Sequence, residues 1–291
     1  MVGGGSSAEG LMVGVIIATT ALATVSRVLL DLQMLQTPFG RRLLCVSLLE
    51  VVLVLVAFAI VAGLSTSEAG GSSTLALVLL KAGGFLIGAT AVGWFALGPL
   101  GDLVRRFGLG GRPGAFTLTL VIGLLFSAVS DAAGLSFVPG AFLAGLFIGP
   151  KVLGGPFTET VHVVRDVGVG FLTPLFFFAA GFQADLSFIV KEPALLAAIV
   201  AAAFVGKMLA GVLGLLLSTA SWREGVVLGF GMNGRGGIDV IMAGLALNSL
   251  HVIGEGLFTA LILTTFLTTL PVPILLQKGV RWLKPGESRG F

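Results

Sequence analysis

A small set of ionisable residues lies inside stretches of sequence that are otherwise apolar. A charge at the centre of a hydrocarbon-spanning helix costs roughly 2.5–3.5 kcal/mol, so such residues usually face a cavity or a partner and mark ion or proton pathways. The acids are Glu50, Asp131 and Asp239, and the bases are Arg27, Lys81, Lys207 and Arg235. These residue types are suited to binding and releasing ions and protons.

Four of these residues lie near the middle of their apolar segments. Glu50 and Lys207 are far apart in sequence, whereas Arg235 and Asp239 are four residues apart. Residues with that spacing share one face of a helix, so Arg235 and Asp239 are able to pair. By helical rise, all four residues are expected within about two turns of the membrane midplane.

Two apolar segments have sequences that interrupt a helix. The first has threonines at its centre, within residues 18–24, and the other has five glycines among residues 229–237. Each glycine destabilises a helix interior by about 1 kcal/mol relative to alanine. The freed backbone groups must then be satisfied within the protein or by a water-filled cavity. Two broken helices in separate halves of a chain indicate a binding site at the membrane midplane.

The composition predicts that the elements carrying these residues are membrane helices. Of 291 residues, 56% are hydrophobic and only 11% are charged, with a mean hydropathy of +1.09. At about 20 residues per crossing, the chain has room for about nine spans, in an all-α polytopic protein. We place them at 11–32, 43–65, 74–100, 115–133, 136–150, 168–188, 193–219, 224–249 and 255–277.

The sequence contains no pattern that is typical of an enzyme. It has no hydrolase triad, phosphate-binding loop or metal-ligand spacing, and the single Cys45 excludes a disulfide framework or thiolate cluster. We therefore expect no cofactor, no catalytic residue and no metal other than a transported monovalent cation. His162 and His251 are expected in loops.

The basic residues between the spans predict the orientation. Alternate loops place twelve Lys and Arg residues on one side and only Lys191 on the other. Basic loops are retained in the cytoplasm, so we expect a cytoplasmic C-terminus, in a bacterial inner (plasma) membrane. Trp222 and Trp282 adjoin the basic side, as interfacial anchors do. The positive net charge thus reflects topology, and no nucleic-acid partner is expected.

Five motifs occur in order along the chain. They are RVLLDL with LQTPFGR at 27–32 and 35–41, GLS with PGAFLAGL at 134–146, PLFFF with Gly181 and Asp185 at 174–186, GK at 206–207, and GMNGRG at 231–236. Together they resemble the monovalent cation:proton antiporter-2 type of the sodium/hydrogen exchanger superfamily, which includes the plant cation/H⁺ exchangers. The resemblance covers residues from about 14 to 275.

The resemblance implies an inverted-repeat fold in which two broken helices cross, and a homodimer. The implied segments are a flexible N-terminus (1–10), partial first-repeat core helices (11–65), a linker helix (74–100), panel or dimerisation helices (115–188), second-repeat core helices (193–277) and a basic cytoplasmic tail (278–291). The family has three or four more helices before the first broken one. We therefore expect a truncated first repeat, whose missing helices another chain could supply.

The family pattern also assigns roles within the site. The helix after Gly40-Arg41 carries Asn-Asp or Asp-Asp in the family, and an ungapped count places that pair on Glu50 and Val51. A shift of one residue places it on Leu49 and Glu50, so that Glu50 replaces the carrier aspartate. Thr20 matches the family's threonine, Ala23 replaces its usual proline, and Asn233, Arg235 and Asp239 belong to the second broken helix.

The predicted function is secondary active transport that exchanges Na⁺ or K⁺ for H⁺ by alternating access. A proton, a cation and Lys207 would compete for the Glu50 carboxylate, while the hydroxyls of Thr19 and Thr20 would coordinate the cation. The alternative is an antiporter-like membrane module that has lost the carrier aspartate and does not transport, or needs a partner. In that case Glu50 is a structural partner of Lys207. Arg235 and Asp239 are in either case expected to hold the broken helix rather than to carry protons.

Overall fold

All regular elements among the residues that the structure describes are helices. The computed structural model describes residues 7–65, 72–108, 110–216 and 221–283. The helices are α1 (Ser7–Ile17), α2 (Leu22–Asp31), α3 (Pro38–Ser65), α4 (Ser72–Phe95), α5 (Leu97–Arg106), α6 (Arg112–Ala132), α7 (Phe137–Phe147), α8 (Pro150–Leu153), α9 (Phe157–Arg165), α10 (Thr173–Gln183), α11 (Phe188–Lys191), α12 (Pro193–Leu216), α13 (Trp222–Met232), α14 (Gly237–Asn248), α15 (Glu255–Thr269) and α16 (Val272–Leu283). The predicted all-α class is confirmed.

Several of these helices are long and apolar enough to cross a membrane. Within the described ranges, six helical spans meet that criterion, three of which join consecutive helices (α1 with α2, α9 with α10, and α15 with α16). A seventh is obtained if α4 and α5, bent by 41°, form one span. Helices α7 and α14 are apolar but shorter. A polytopic membrane protein is therefore confirmed, whereas the number of nine crossings stays a prediction.

Both helices that were predicted to be interrupted are broken. Helix α1 ends at Ile17 and α2 begins at Leu22, and helix α13 ends at Met232 and α14 begins at Gly237. Another interruption, at Ala96 between α4 and α5, was not predicted, since 74–100 reads as one apolar run.

The segment 151–166 differs from the loop that the sequence indicated. Helix α9 begins at Phe157 and continues through a π-helical turn, Asp166–Leu172, into α10. His162 therefore lies on a helix, where it is exposed. Polar and charged side chains on an exposed face do not end a helix when no proline or glycine interrupts it. Helix α16 likewise continues beyond residue 277, to Leu283.

The chain divides into two compact units. Unit 1 comprises Met1–Val54 and Ala179–Phe291, and unit 2 comprises Leu55–Phe178. Both predicted broken helices and the residues Glu50 and Lys207 belong to unit 1.

Close helix packing through glycines characterises unit 1. A Cβ on Gly225 of α13 would lie 2.8 Å from the carbonyl oxygen of Gly211 on α12. A Cβ on Gly229 would lie 2.9 Å from the carbonyl oxygen of Lys207. At Gly211 and Gly225 the backbones can approach this closely because neither residue carries a side chain, and at Gly229 because α13 carries none. This contact brings Lys207 next to the second broken helix.

A sharp turn joins α6 to α7 in unit 2. Gly134 has a φ of 80° and Ser136 has a φ of 69°, a region that glycine occupies at little cost. The Ser130 hydroxyl donates a 2.6 Å hydrogen bond to the Ser136 carbonyl oxygen. The two helices then pack closely, since a Cβ on Gly140 would lie 2.7 Å from Ser127 Cα.

Candidate functional site

The two broken helices cross at their interruptions. The backbone N–H of Ala21 donates to the carbonyl oxygen of Gly234 at 2.7 Å, and the Thr24 hydroxyl donates to that of Arg235 at 3.1 Å. A Cβ on Gly236 would lie 2.9 Å from Ala21 Cβ, so a larger residue there would separate the chains. The crossing thus exposes polar backbone groups of two unwound segments to the same small region.

Glu50 and Lys207 meet beside this crossing. The Lys207 ammonium contacts Glu50 Oε1 and the carbonyl oxygen of Ala18, and it donates to Thr20 Oγ1 at 2.9 Å. The Lys207 side chain is only 4% exposed, whereas that of Glu50 is 18% exposed. An ion approaching the pair from solvent would therefore reach the carboxylate before the ammonium.

Thr20 connects the carboxylate to the second broken helix. Its hydroxyl lies in hydrogen-bond contact with Glu50 Oε2 and 2.8 Å from the carbonyl oxygen of Met232. A hydroxyl has one proton to donate, so it can bond to only one of these acceptors at a time. Its oxygen meanwhile accepts from Lys207. By rotating its hydroxyl proton, Thr20 is thus able to change its acceptor between Glu50 and the Met232 carbonyl.

Arg235 and Asp239 form a second, more deeply buried pair. Arg235 Nη1 lies 3.6 Å from Asp239 Oδ2, and the two side chains are 1% and 2% exposed. Arg235 also donates to the carbonyl oxygen of Ile17. Within the described part of the chain, no donor meets strict hydrogen-bond geometry at either carboxylate oxygen of Asp239, although the Thr19 hydroxyl and the Arg235 guanidinium lie nearby. The pair is therefore held by charge more than by hydrogen bonding.

The charges match the ends of the broken helices. Lys207 and Arg235 bind carbonyls at the C-terminal end of α1, where the carbonyls lack partners within the helix and carry partial negative charge. Asp239 lies in the first turn of α14, at the positive end of that helix. At each interruption, the side chains therefore carry a charge opposite to the partial charge of the helix end that they face.

The remaining predicted residues of the crossing are buried there. Thr19 donates to the carbonyl oxygen of Ile16 at 2.9 Å, which leaves its lone pairs for another donor or a cation. Asn233 Nδ2 donates to the carbonyl oxygen of Gly229 at 2.9 Å, and its Oδ1 has no partner among the described residues. Both oxygens are hard ligands of the kind that alkali cations prefer.

Two polar residues of this region were not singled out from the sequence. Thr269 Oγ1 on α15 accepts the backbone N–H of Arg235 at 2.9 Å, and so helps to fix the unwound segment. Ser47 is fully buried, with its hydroxyl unpartnered among the described residues, one helical turn before Glu50. The three-residue spacing from Glu50 was a sequence signal for Ser47, whereas Thr269 had none.

Other ionisable residues in the apolar segments lie in different surroundings. Arg27 is exposed and pairs with Asp31 at 3.2 Å. Lys81 and Asp131 belong to unit 2 and are exposed. Of the seven residues, the structure therefore places Glu50, Lys207, Arg235 and Asp239 around one crossing.

Comparisons with known proteins show which family this chain resembles. The family model described as "Sodium/hydrogen exchanger, transmembrane" matches residues 1–278. The chain is 31% identical over 295 residues to cation/H(+) antiporter 18 of Arabidopsis thaliana, which covers 98% of this chain and 35% of that protein. It is 26% identical over 272 residues to a Na(+)/H(+) antiporter of Enterococcus hirae, which covers 92% of this chain and 69% of that protein.

A further relative is the Na(+)/H(+)-K(+) antiporter GerN of Bacillus cereus, 22% identical over 95% of this chain and 69% of its own length. The chain thus spans about a third of the plant relatives and about two thirds of the bacterial ones. The antiporter resemblance that the motifs carried is confirmed. Because the family model matches almost its whole length, the chain belongs to the sodium/hydrogen exchanger family, whose members are membrane transporters and not enzymes.

Proposed function

We propose that this chain exchanges a monovalent cation, Na⁺ or K⁺, for H⁺, with the Glu50 carboxylate as the carrier. The observation that carries the proposal is the contact of a partly accessible carboxylate with a buried ammonium where two broken helices cross. A structural ion pair would not need unwound backbone on both sides. The names of the relatives, which are cation/H⁺ antiporters, support the same activity.

Competition for one carboxylate couples the two fluxes. Lys207 neutralises Glu50 in this structure, and a cation or a proton would have to displace it. A carboxylate that holds a cation cannot hold a proton at the same oxygen, so loading of one ion requires release of the other. Exchange across the membrane then follows if the occupied site opens to alternate sides.

Oxygen atoms for a bound cation lie around Glu50. Thr20 Oγ1 contacts the carboxylate, and the carbonyl oxygen of Met232 lies 2.8 Å from that hydroxyl. When Lys207 withdraws, Thr20 can donate to the Met232 carbonyl and leave both Glu50 oxygens for the cation. Carboxylate, hydroxyl and carbonyl oxygens are appropriate ligands for a hard cation.

Proteoliposomes that carry a pH gradient test the proposal. Addition of Na⁺ or K⁺ should dissipate the gradient with the wild-type chain and fail to do so with Glu50→Gln, which keeps the shape but cannot carry a charge. Asp131→Asn is the matched control, since Asp131 is an exposed carboxylate of unit 2, and it should retain activity.

Two outcomes would contradict the proposal. Equal activity of Glu50→Gln and wild type would remove Glu50 from the carrier role. A silent wild-type chain, folded and inserted, would favour the alternative of an antiporter-like module that needs a partner or does not transport.

A further inference from the structure

Basic and aromatic side chains cluster at one end of unit 1. The basic–aromatic cluster consists of Arg41, Arg42, Trp222, Arg223, Lys278 and Trp282. It joins the beginnings of α3 and α13 to the end of α16: Arg42 Nη1 lies 2.6 Å from Glu224 Oε1, and the rings of Trp222 and Trp282 are 5.4 Å apart. Three helix ends thus form one surface.

Arg223 lies at the centre of this surface. Its guanidinium carbon is 5.9 Å from the ring centre of Trp222 and 5.3 Å from that of Trp282, and the two rings meet edge to face at 73°. Cation–π attraction to two indoles holds the guanidinium in a defined orientation. A guanidinium held in this way presents its N–H groups as a planar fork, which matches the oxygens of a phosphate.

The charge of the surface is positive and largely uncompensated. Glu224 is engaged by Arg42. No carboxylate among the described residues lies within the 4.0 Å of an ion pair from Arg41, Arg223 or Lys278. Three cations at one end therefore create a field that attracts an anion.

The neighbouring surface indicates that this anion is part of a lipid molecule rather than a soluble ion. On α3, Arg42 is followed one, two and three turns later by Val46, Leu49 and Leu53, which are 37%, 61% and 59% exposed. On α16, Ile274 is 57% exposed and lies one turn before Lys278. Two helices thus change from exposed apolar to exposed basic residues within about 6 Å, at the same end of unit 1.

Exposed apolar faces of a membrane protein contact hydrocarbon, so this change marks the depth of the lipid headgroups. The indoles of Trp222 and Trp282 are 52% and 40% exposed at that level, where amphipathic rings are most stable. A soluble anion would require the positive charge but neither the adjoining apolar stripes nor the half-exposed indoles.

We propose that the basic–aromatic cluster binds the phosphate headgroup of an anionic membrane lipid. Arg223 binds the phosphate oxygens, Trp222 and Trp282 orient it and contact the glycerol region, and Arg41 and Lys278 supply additional positive charge. The inference is independent of the transport activity, because it concerns the ends of α3, α13 and α16 and not the Glu50 site in the middle of α3.

Fluorescence quenching by brominated lipids tests this site. With Trp94→Phe as background, Trp222 and Trp282 are the only tryptophans in the sequence. The full chain is reconstituted in phosphatidylcholine vesicles that contain a minor fraction of brominated phosphatidylglycerol or brominated phosphatidylcholine. We expect stronger quenching by phosphatidylglycerol, and Arg223→Gln should lower that preference about five-fold, as expected for one basic residue near an anionic headgroup.

Matched variants distinguish specific binding of the headgroup by Arg223 from general electrostatic attraction by surface charge. Arg165→Gln removes an exposed arginine on α9 and should retain the preference, and Arg41→Gln should reduce it less than Arg223→Gln. Arg223→Lys keeps the charge but not the planar fork, and should restore only part of the binding. Circular dichroism checks that each variant is folded.

Three results would overturn the proposal. Equal quenching by the two brominated lipids would show that the cluster does not select anionic headgroups. An equal loss in Arg41→Gln and Arg223→Gln would reduce the cluster to general surface charge. Loss of the preference on addition of inorganic phosphate would assign the cluster to a soluble anion.

Discussion

At the scale of single residues, the buried charges depend on one another. Burying an ion requires several kcal/mol of desolvation, which its partner and hydrogen bonds must offset. Lys207 has Glu50, Thr20 and the Ala18 carbonyl as partners. Removing one member of such a set therefore differs from removing both, because a single removal leaves a charge without compensation.

Lys207→Met should lower the free energy of unfolding by about 3 kcal/mol, the usual cost of leaving a buried ion unpaired. The double variant Glu50→Gln/Lys207→Met should recover part of that loss, since no lone charge remains. Thermal unfolding in detergent, followed by tryptophan fluorescence, measures both. Lys151→Met, at an exposed position, is the control, and a double variant that equals the sum of its single effects would contradict the coupling.

Arg235 and Asp239 should respond unequally to substitution. Arg235→Met removes the hydrogen bond to Ile17 and leaves Asp239, 2% exposed, without its nearby cation. Asp239→Asn keeps the shape of the side chain and the bond from Arg235 to Ile17. We expect the Arg235 variant to unfold at a clearly lower temperature than the Asp239 variant. The reverse order would show that Asp239 has a partner more important than Arg235.

At the scale of helices, backbone proximity decides where the charges lie. Lys207 reaches the first broken helix because α12 packs against α13 through Gly211, Gly225 and Gly229. The side chains that meet at the crossing come from α3, α12 and α14, with the unwound segments between them. The site thus depends on close backbone contacts between helices as well as on its charged side chains.

Gly225→Ala should separate α12 from α13, because the new Cβ would lie 2.8 Å from the Gly211 carbonyl oxygen and from Val212 Cα. Overpacking of this kind costs about 1–3 kcal/mol. Gly214→Ala is the matched control on α12, where a Cβ meets nothing within 4 Å, and it should be neutral or slightly stabilising. Melting temperatures of the two variants in one detergent make the comparison; equal values would contradict the close contact.

At the scale of the whole molecule, the basic residues predict orientation. Ser221 precedes α13 beside Arg223, on the side predicted to be cytoplasmic, and Ser249 follows α14, on the opposite side. The asymmetry of twelve basic residues against one is the basis of this prediction.

Cysteine labelling tests the orientation in intact cells. In a Cys45→Ala background, Ser249→Cys should react with a membrane-impermeant maleimide from outside, whereas Ser221→Cys should react only after permeabilisation. Both positions are exposed, so each serves as the accessibility control of the other. If Ser221→Cys is labelled from outside and Ser249→Cys is not, the orientation is the reverse of the predicted one.

The sequence by itself determined the helical membrane class and the sites of both broken helices. These features are local: an apolar run forms a helix in lipid whatever surrounds it, and glycines or threonines weaken that helix where they occur. The same reasoning placed the end of the last helix and the segment 151–166 less well, since a charged residue does not by itself end a helix. Ionisable residues in apolar segments were also visible, and the pairs Glu50 with Lys207 and Arg235 with Asp239 were predicted, but no local pattern showed that all four lie at one crossing.

Only the tertiary structure decided which of those residues meet. Glu50 lies 157 positions from Lys207, and Thr20 lies 187 positions from it, so no local pattern relates them. Ser47 and Thr269 belong to the region for the same reason: burial and helix packing place them there. The residue types were enough to predict the kind of chemistry, and the folding of distant helices onto one another brought Glu50, Lys207, Arg235 and Asp239 to one crossing.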